Sequence, residues 1–499
     1  MDKIRIKNLK SIVDSGEISI KPITVFVGQN SSGKSSLIRC FPLFKQSAES
    51  KILGTVLWSG KYVDYGSFDE SVNHEVNSTT PKEISFSFSF RISPHRRSYL
   101  PDDSSVKLTI NVAGDEYSKS SYTDIFYEIF GNSISMRTNT DLKILIFRIN
   151  GVDFTKQAAE FYRAYKIYTI IPVLFRSGRT TLLYDQHYAA LAKEVAQHVH
   201  HRTSDSRIRR IAQSLRFSDD ESIKRMLSSK ALVGDFAASK MSALSTDDQK
   251  FKDIKNQIIF QNIEKIMDEV ADNFRAHFIS TRYITPLRAA ADRYYRIQNT
   301  SIEELDPNGN NLAMFLHAKK ESEIEEINLW LKDQIGFTIE IVGSHGHASI
   351  FIIDNNSKNR TNIADTGFGI SQILPVLIQV WQQSKSGNIR VTQIKTPTSI
   401  IIEQPELHLH PKMQSRVGEV FCRAINVARS KDIDLRIIIE THSKEIIEAI
   451  GRSIENRIID KDDAAIYILE KNSNSNVTKS SFDDGGFLVQ WPYGFFDGE

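Results

Sequence analysis

The spacing of apolar positions changes character several times along this chain. Near its start, Ile4 and Ile6 alternate with Arg5 and Lys7, and Ile18 and Ile20 flank Ser19, a period of two that predicts short half-buried strands. The run 23–27 lies between Pro22 and Gly28, is rich in β-branched residues, and reads as a strand buried on both faces in a parallel sheet. Helical spacing follows over 35–45.

Strict alternation returns at 83–92, where Ile84, Phe86, Phe88, Phe90 and Ile92 share one face and serines hold most of the other. The pattern repeats at 106–112 and in shorter runs over 122–149, so residues 82–152 read as an antiparallel meander with one solvated face. From about 158 to 276 the pattern becomes helical, broken by polar joints near 203–206, 218–222 and 242–248. After Pro286, strand-like runs at 338–342, 349–354, 399–403, 435–440 and 465–469 alternate with helical segments at 321–335, 370–382, 411–428 and 444–454. No internal repeat is visible, and the Asn/Ser tract 472–476 reads as a turn.

Composition narrows the class. Of 499 residues, 63 are Lys or Arg and 61 Asp or Glu, giving a net charge of +2, and 40% are hydrophobic, which excludes a disordered chain, collagen or a disulfide scaffold. Cys40 and Cys422 alone supply thiols, pointing to a reducing compartment and leaving no CxxC site. The N-terminal residues carry charge where a signal peptide needs an apolar core, and the longest apolar stretches, such as 168–175, are far shorter than the about 20 residues that span a bilayer. The expectation is a cytoplasmic protein with no membrane partner.

The sharpest chemical signal is Gly-Gln-Asn-Ser-Ser-Gly-Lys-Ser at 28–35, a complete GxxxxGK[ST] phosphate loop between a predicted strand and a predicted helix. Its glycines let backbone N–H groups turn toward a polyphosphate, Lys34 neutralises the β- and γ-phosphates, and Ser35 offers a hydroxyl to Mg²⁺. The expected ATP-binding set is Gly28, Asn30, Ser31, Gly33, Lys34, Ser35 and Ser36. A Walker B strand should end on an acid facing that metal, and 399–402 followed by Glu403 fits, which makes Ser35 and Glu403 the expected Mg²⁺ residues. The following loop holds Gln404, Pro405, Glu406, His408 and His410; with no third ligand near, the two histidines read as part of a structured turn. Strand 435–439 ends in Glu440-Thr441-His442-Ser443, which places His442 where it can sense a γ-phosphate. In 365–377, glycines precede Ser371 and Gln372 at the start of a helix.

In this order the motifs resemble the ABC-type ATPases related to SMC and recombination-repair proteins. The resemblance covers residues 1–50 and 280–499 and hardly touches the middle. It implies an α/β P-loop NTPase with an ABC-type head of mixed sheet and helices, an antiparallel β subdomain and a helical insertion. The expected division is 1–93 for the first part of the head, 94–155 for the β subdomain, 156–280 for the insertion and 281–499 for the rest of the head with a small C-terminal domain. It further implies that Gly369, Ser371 and Gln372 are the signature that touches the other head's ATP in a homodimer or higher oligomer, that 407–411 is the D-loop, that His442 is the switch and that Gln46 is the Q-loop glutamine.

Segments 283–288, 365–372, 403–411 and 491–497 together are similar to a bacterial branch of standalone ABC ATPases, whose members and relatives are the ATPase subunits of anti-phage systems such as Septu (PtuA, in some cases beside retrons) and PARIS. That likeness implies a separate effector, an HNH or TOPRIM nuclease or a toxin, and DNA or retron msDNA as a further partner. Nuclease chemistry is not expected on this chain: 57 residues follow His442, and the acids Asp460, Asp462 and Asp463 read as one solvated turn.

One departure bears on mechanism. The family's Asp-Glu pair at the end of Walker B is here Glu403-Gln404, and an amide cannot accept a proton from water. The catalytic set is therefore Glu403, Gln404, Glu406 and His442, with Glu406 the available substitute base and hydrolysis expected to be slow. A DNA-repair or DNA-end-processing ATPase is the alternative; a transporter subunit is disfavoured by the long inserts and by the lack of an LSGGQ string. Two basic stretches bear on the choice. Residues 187–230 carry nine Lys or Arg against five Asp or Glu, on a face that is either solvated or a partner surface. Arg275, Arg282, Arg288, Arg293 and Arg296, interleaved with Tyr283, Tyr294 and Tyr295, either track nucleic acid or pack within the head; Arg288, Arg293 and Arg296 are the candidate contacts.

Overall fold

The computed structural model describes residues 1–52, 54–73, 82–93, 98–114, 121–166, 169–177, 181–297, 302, 304–344, 346–385, 397–470 and 476–491. The expected turn at 472–475, residue 168 of the apolar stretch and the terminal motif residues 492–497 lie outside them.

A seven-stranded sheet forms the centre, in the order Arg282–Ile284, Thr398–Glu403, Leu435–Glu440, Ile23–Gly28, Ala464–Glu470, Asn476–Phe482, Leu488–Val489. The first five strands are parallel and the last two antiparallel. The parallel strands are apolar on both faces because both faces are covered. Val25, Val27, Ile400, Ile402, Ile437 and Ile439 enter one core, while Phe26, Ile401 and Ile438 between them enter the other. The strand leading into the phosphate loop is flanked by Leu435–Glu440 and Ala464–Glu470, and the Walker B strand lies one place further out.

The second sheet has nine antiparallel strands and includes the N-terminus. Lys3–Leu9 pairs with Glu83–Arg91, which pairs with Ser105–Ala113, and the meander continues through Tyr122–Ile129, Asn132–Asn139, Ile144–Ile149 and Val152–Asp153. A boundary at 93/94 therefore falls inside one continuous sheet. Its apolar face covers the helix after the phosphate loop, Cys40–Glu49, and the long helix Gln249–Ile279; Phe44 meets both Phe86 and Phe88 at 5.0 Å between ring centroids, and Phe88 meets Phe274 at 5.0 Å. The opposite face is polar, with a hydroxyl contact between Ser87 and Thr109 of 2.9 Å.

The insertion is helical but contains, after the short helix Thr155–Phe161, a two-stranded ribbon, Tyr162–Tyr165 with Val173–Arg176, which the helical pattern did not predict. Its buried apolar residues, Tyr162, Val173 and Leu174, join the same core as the sheet. The helix Gln249–Ile279 returns the chain to the centre, ending at Ser280 just before the strand Arg282–Ile284. A four-stranded sheet of Tyr295–Arg296, His347–Asp354, Phe337–Ser344 and Arg360–Asn362 then leads into the helix Phe368–Lys385. No helix among the described residues is long and apolar enough to cross a membrane.

Candidate functional site

The loop after Ile23–Gly28 is confined by its neighbour. Gly28 has φ +149°, and a Cβ there would lie 2.1 Å from the carbonyl oxygen of Leu469, its partner in the next strand, so no side chain fits. Asn30 and Ser31 are exposed at the loop tip, while Ser35 and Ser36 are half-buried where the chain turns helical. Lys34 is buried, and its Nζ donates to the carbonyls of Gly28 at 3.0 Å and Gln29 at 2.7 Å, closing the loop on itself. Burial lowers the Lys34 pKa, and the charges of Glu440 and Glu406 oppose that shift.

Three carboxylates gather at the strand ends, and they are not equivalent. Glu403 is fully engaged: its Oε1 accepts from Arg39 Nε at 2.7 Å and from Tyr283 Oη at 2.7 Å, and its Oε2 accepts from Arg39 Nη2 at 2.6 Å. The acid facing Ser35 is Glu440, whose Oε1 and Oε2 lie 2.9 and 2.8 Å from the serine Oγ. Burial, followed by the nearby charge of Glu403, pushes the Glu440 carboxyl up to about 7 against the opposing Ser35, Lys34 and Arg39. From the sequence alone Glu440 carries no assigned role. The available signal was register, since Glu403, Glu440 and Phe26 stand side by side on adjacent strands.

Glu406 is also committed. It accepts from Thr441 Oγ1 at 2.8 Å and from the His442 backbone N–H at 2.7 Å, tying the Walker B loop to the switch loop. The His442 ring is exposed, and its pKa is lowered by partial burial and by the charge of Lys34. Gln404 adopts φ 43° and donates its backbone N–H to the Glu440 carbonyl at 2.8 Å. His410 caps the helix Pro411–Ser430, and the His408 ring packs edge-on to Phe368 at 4.7 Å.

The candidate signature sits on this same loop. A Cβ on Gly369 would lie 2.6 Å from the His408 carbonyl oxygen. Ser371 Oγ donates to the Phe368 carbonyl at 2.8 Å, and Gln372 Nε2 donates to the carbonyls of Arg288 and Ala289 at 3.2 Å each. Arg288 corrects an expectation. It is 5% exposed, and its Nη2 donates to the carbonyls of Glu403 at 3.0 Å and Gln404 at 3.2 Å, so it braces the end of the Walker B strand and cannot reach a nucleic acid. Burial lowers the Arg288 pKa to about 10 despite Glu406 and Glu403 nearby. Arg293 is exposed and paired with Asp365, and Arg296 is exposed on a short edge strand. Gln46 has no group free for a nucleotide: its amide donates to the carbonyls of Leu57 and Val63 and accepts from the N–H groups of Tyr62 and Val63, clipping that loop in place.

No group of three or more His, Cys, Asp or Glu residues among those described could hold a metal ion unaided. A P-loop serine beside buried carboxylates does fit Mg²⁺, which is held jointly by a few protein oxygens and the substrate phosphates. When bound, that ion supplies positive charge to the phosphates.

A phosphate loop on a central strand, with an acid-tipped strand two places away and a histidine-bearing turn between them, defines a P-loop NTPase with an ABC-type head, of mixed α/β architecture. The AAA ATPase domain family matches residues 1–447, and the chain belongs to it, an ATP-binding ATPase. No curated protein matches the sequence. Among solved structures, an SMC head bound to the C-winged helix domain of ScpA is 13% identical, covering 97% of this chain and 98% of that chain at a TM-score of 0.37. The SMC head domain from Thermotoga maritima is 10% identical, covering 96% and 97% at a TM-score of 0.36.

Proposed function

We propose that this chain is an ATP-driven clamp: a homodimer or higher homo-oligomer in which Mg²⁺·ATP bound by 28–36 of one head meets the Gly369–Ser371 turn of another, with the buried Gln372 holding that turn in place. Hydrolysis is slow, and the assembled state holds and regulates a separate effector, an HNH or TOPRIM nuclease or a toxin, in bacterial anti-phage defence. One observation carries this reading. Three of the four segments that resemble the defence ATPases interlock, Arg288 bracing Glu403 and Gln404, Gln372 holding the backbone of Arg288, and Gly369 seated on His408. Glu406 is consistent with slow turnover, since its bonds to Thr441 and the His442 N–H hold it as a brace between the Walker B and switch loops.

The test is purification of the chain from its native host with co-eluting molecules identified, beside Lys34→Ala. Charge-assisted hydrogen bonds are worth about 1.5–3 kcal/mol each, so the variant should bind ATP at least about tenfold more weakly and lose both ATP-dependent assembly and the effector. An unchanged complex in Lys34→Ala would end the clamp reading. Direct action on nucleic acid is the second reading, favoured by Arg202, Arg207, Arg210, Arg216 and Arg225 of the helical insertion, which are exposed and make no ion pair among the described residues.

A further inference from the structure

We propose that Glu440, rather than Glu403, is the acid that positions the catalytic metal through Ser35. The inference rests on the ATP-site reading above and concerns which strand supplies the carboxylate.

Ser35 has one hydroxyl proton and two lone pairs. With the proton donated to Glu440 at 2.8–2.9 Å, the lone pairs remain for a cation beside the β- and γ-phosphates. Glu440 is suited by position, because its strand adjoins the phosphate-loop strand, whereas Glu403 is one strand further, about 5 Å more. It is suited by what holds it, since the only hydrogen bonds its carboxylate accepts among the described residues come from the neutral Ser35 hydroxyl. At 3% exposure it is a buried acid that makes no ion pair among the described residues, with Lys34 and Arg39 acting on it only at a distance.

Glu403 is held differently. Two bonds from Arg39 and one from Tyr283 occupy three of its about four acceptor sites, and recruiting it to a metal would compete with the bidentate Arg39 pair. Arg39 lies four residues beyond Ser35, so this ion pair fixes the first turns after the loop against the Walker B strand. Glu403 thus anchors the helix, and Glu440 orients the serine.

The experiment measures the affinity of the non-hydrolysable analogue AMP-PNP with and without Mg²⁺, and Mn²⁺ bound with AMP-PNP by electron paramagnetic resonance. Glu440→Gln should keep its metal-free affinity and lose the gain that metal confers, by about 10–100-fold as for other residues that orient a metal ligand. Glu440→Asp should restore part of that gain and serves if the glutamine variant folds poorly. Ser35→Ala should lose it too, and the double variant with Glu440→Gln should cost no more than the larger single change. Strict additivity, or a wild-type metal response in Glu440→Gln, overturns the proposal. Loss of the response in Glu403→Gln alone returns the role to Glu403. A wild-type chain that binds no nucleotide under either condition overturns the ATP-site reading, and the metal assignment with it.

Discussion

Gln404 concentrates the question of rate in one side chain. It follows the Walker B strand directly, its backbone is in the left-handed region, and its N–H is fixed to the Glu440 carbonyl. The position is built; only the group is wrong for a base. Replacing the amide by a carboxylate should therefore supply what is missing, and Gln404→Glu is expected to raise single-turnover ATP hydrolysis by about 10²–10⁴-fold. Wild-type turnover already near about 1 s⁻¹, lost in Gln404→Ala but kept in Glu406→Ala, would overturn slow hydrolysis. At this scale the sequence was legible where chemistry is local. Lys34 and Ser35 belong to one contiguous motif, whereas the partners of Glu403 and Glu440 lie 364 and 405 positions away, so nothing in their surroundings showed which acid meets Arg39 and which meets Ser35.

Among the elements, the long helix Gln249–Ile279 carries a charge that folding resists. Asp268 is pushed up to about 6 by burial and by its helical neighbours Glu264 and Asp272, with the Tyr165 hydroxyl opposing. Its folded pKa exceeds the ordinary 3.8, so the folded chain binds this proton more tightly. The stabilisation is complete below about pH 4 and is lost as pH rises through about 6. Asp268→Asn should then stabilise the fold at pH 8 by about 1 kcal/mol, the full shift being discounted for solvent screening at a half-buried site, and do little at pH 4. Equal shifts in melting temperature at both values would refute the assignment. The helix Phe368–Lys385 offers a second check: a Cβ at Gly369 meets backbone rather than a flexible side chain, so Gly369→Ala should lower the melting temperature and weaken ATP-dependent association. Element types followed from period, because alternation at Ile84–Phe90 and unbroken apolar strands each reflect which faces are buried. Boundaries did not. Lys3–Leu9 pairs with Glu83–Arg91 across a long gap that no local pattern records, and the ribbon at Tyr162–Tyr165 is too short to interrupt a helical average.

Over the whole molecule, the net charge of +2 conceals a division of labour among the arginines. Four of those in the head turn inward: Arg39 to Glu403, Arg282 to Glu304, Arg288 to the Walker B backbone and Arg436 to Asp2 and Asp434. On the insertion, Arg202, Arg207, Arg210, Arg216 and Arg225 are exposed and have no ion pair among the described residues. The helix Asp205–Ser214 buries Ile208, Ile211 and Ala212, so Arg207 and Arg210 face solvent from its other side. A polyanion or acidic partner would meet this surface, not Arg288, and the two functional readings separate on it. A chain acting directly on nucleic acid binds duplex DNA alone, with a steep salt dependence, and reversing Arg207, Arg210 and Arg216 together to Glu lowers the log–log slope by up to about 3. A scaffold shows no such binding until its effector is present. We expect the scaffold result for the purified wild-type chain, with the triple reversal leaving ATP affinity unchanged while weakening capture of the partner from the host. Salt-steep binding by the isolated chain that the reversal removes would instead make the insertion a nucleic-acid interface and the ATPase its direct motor.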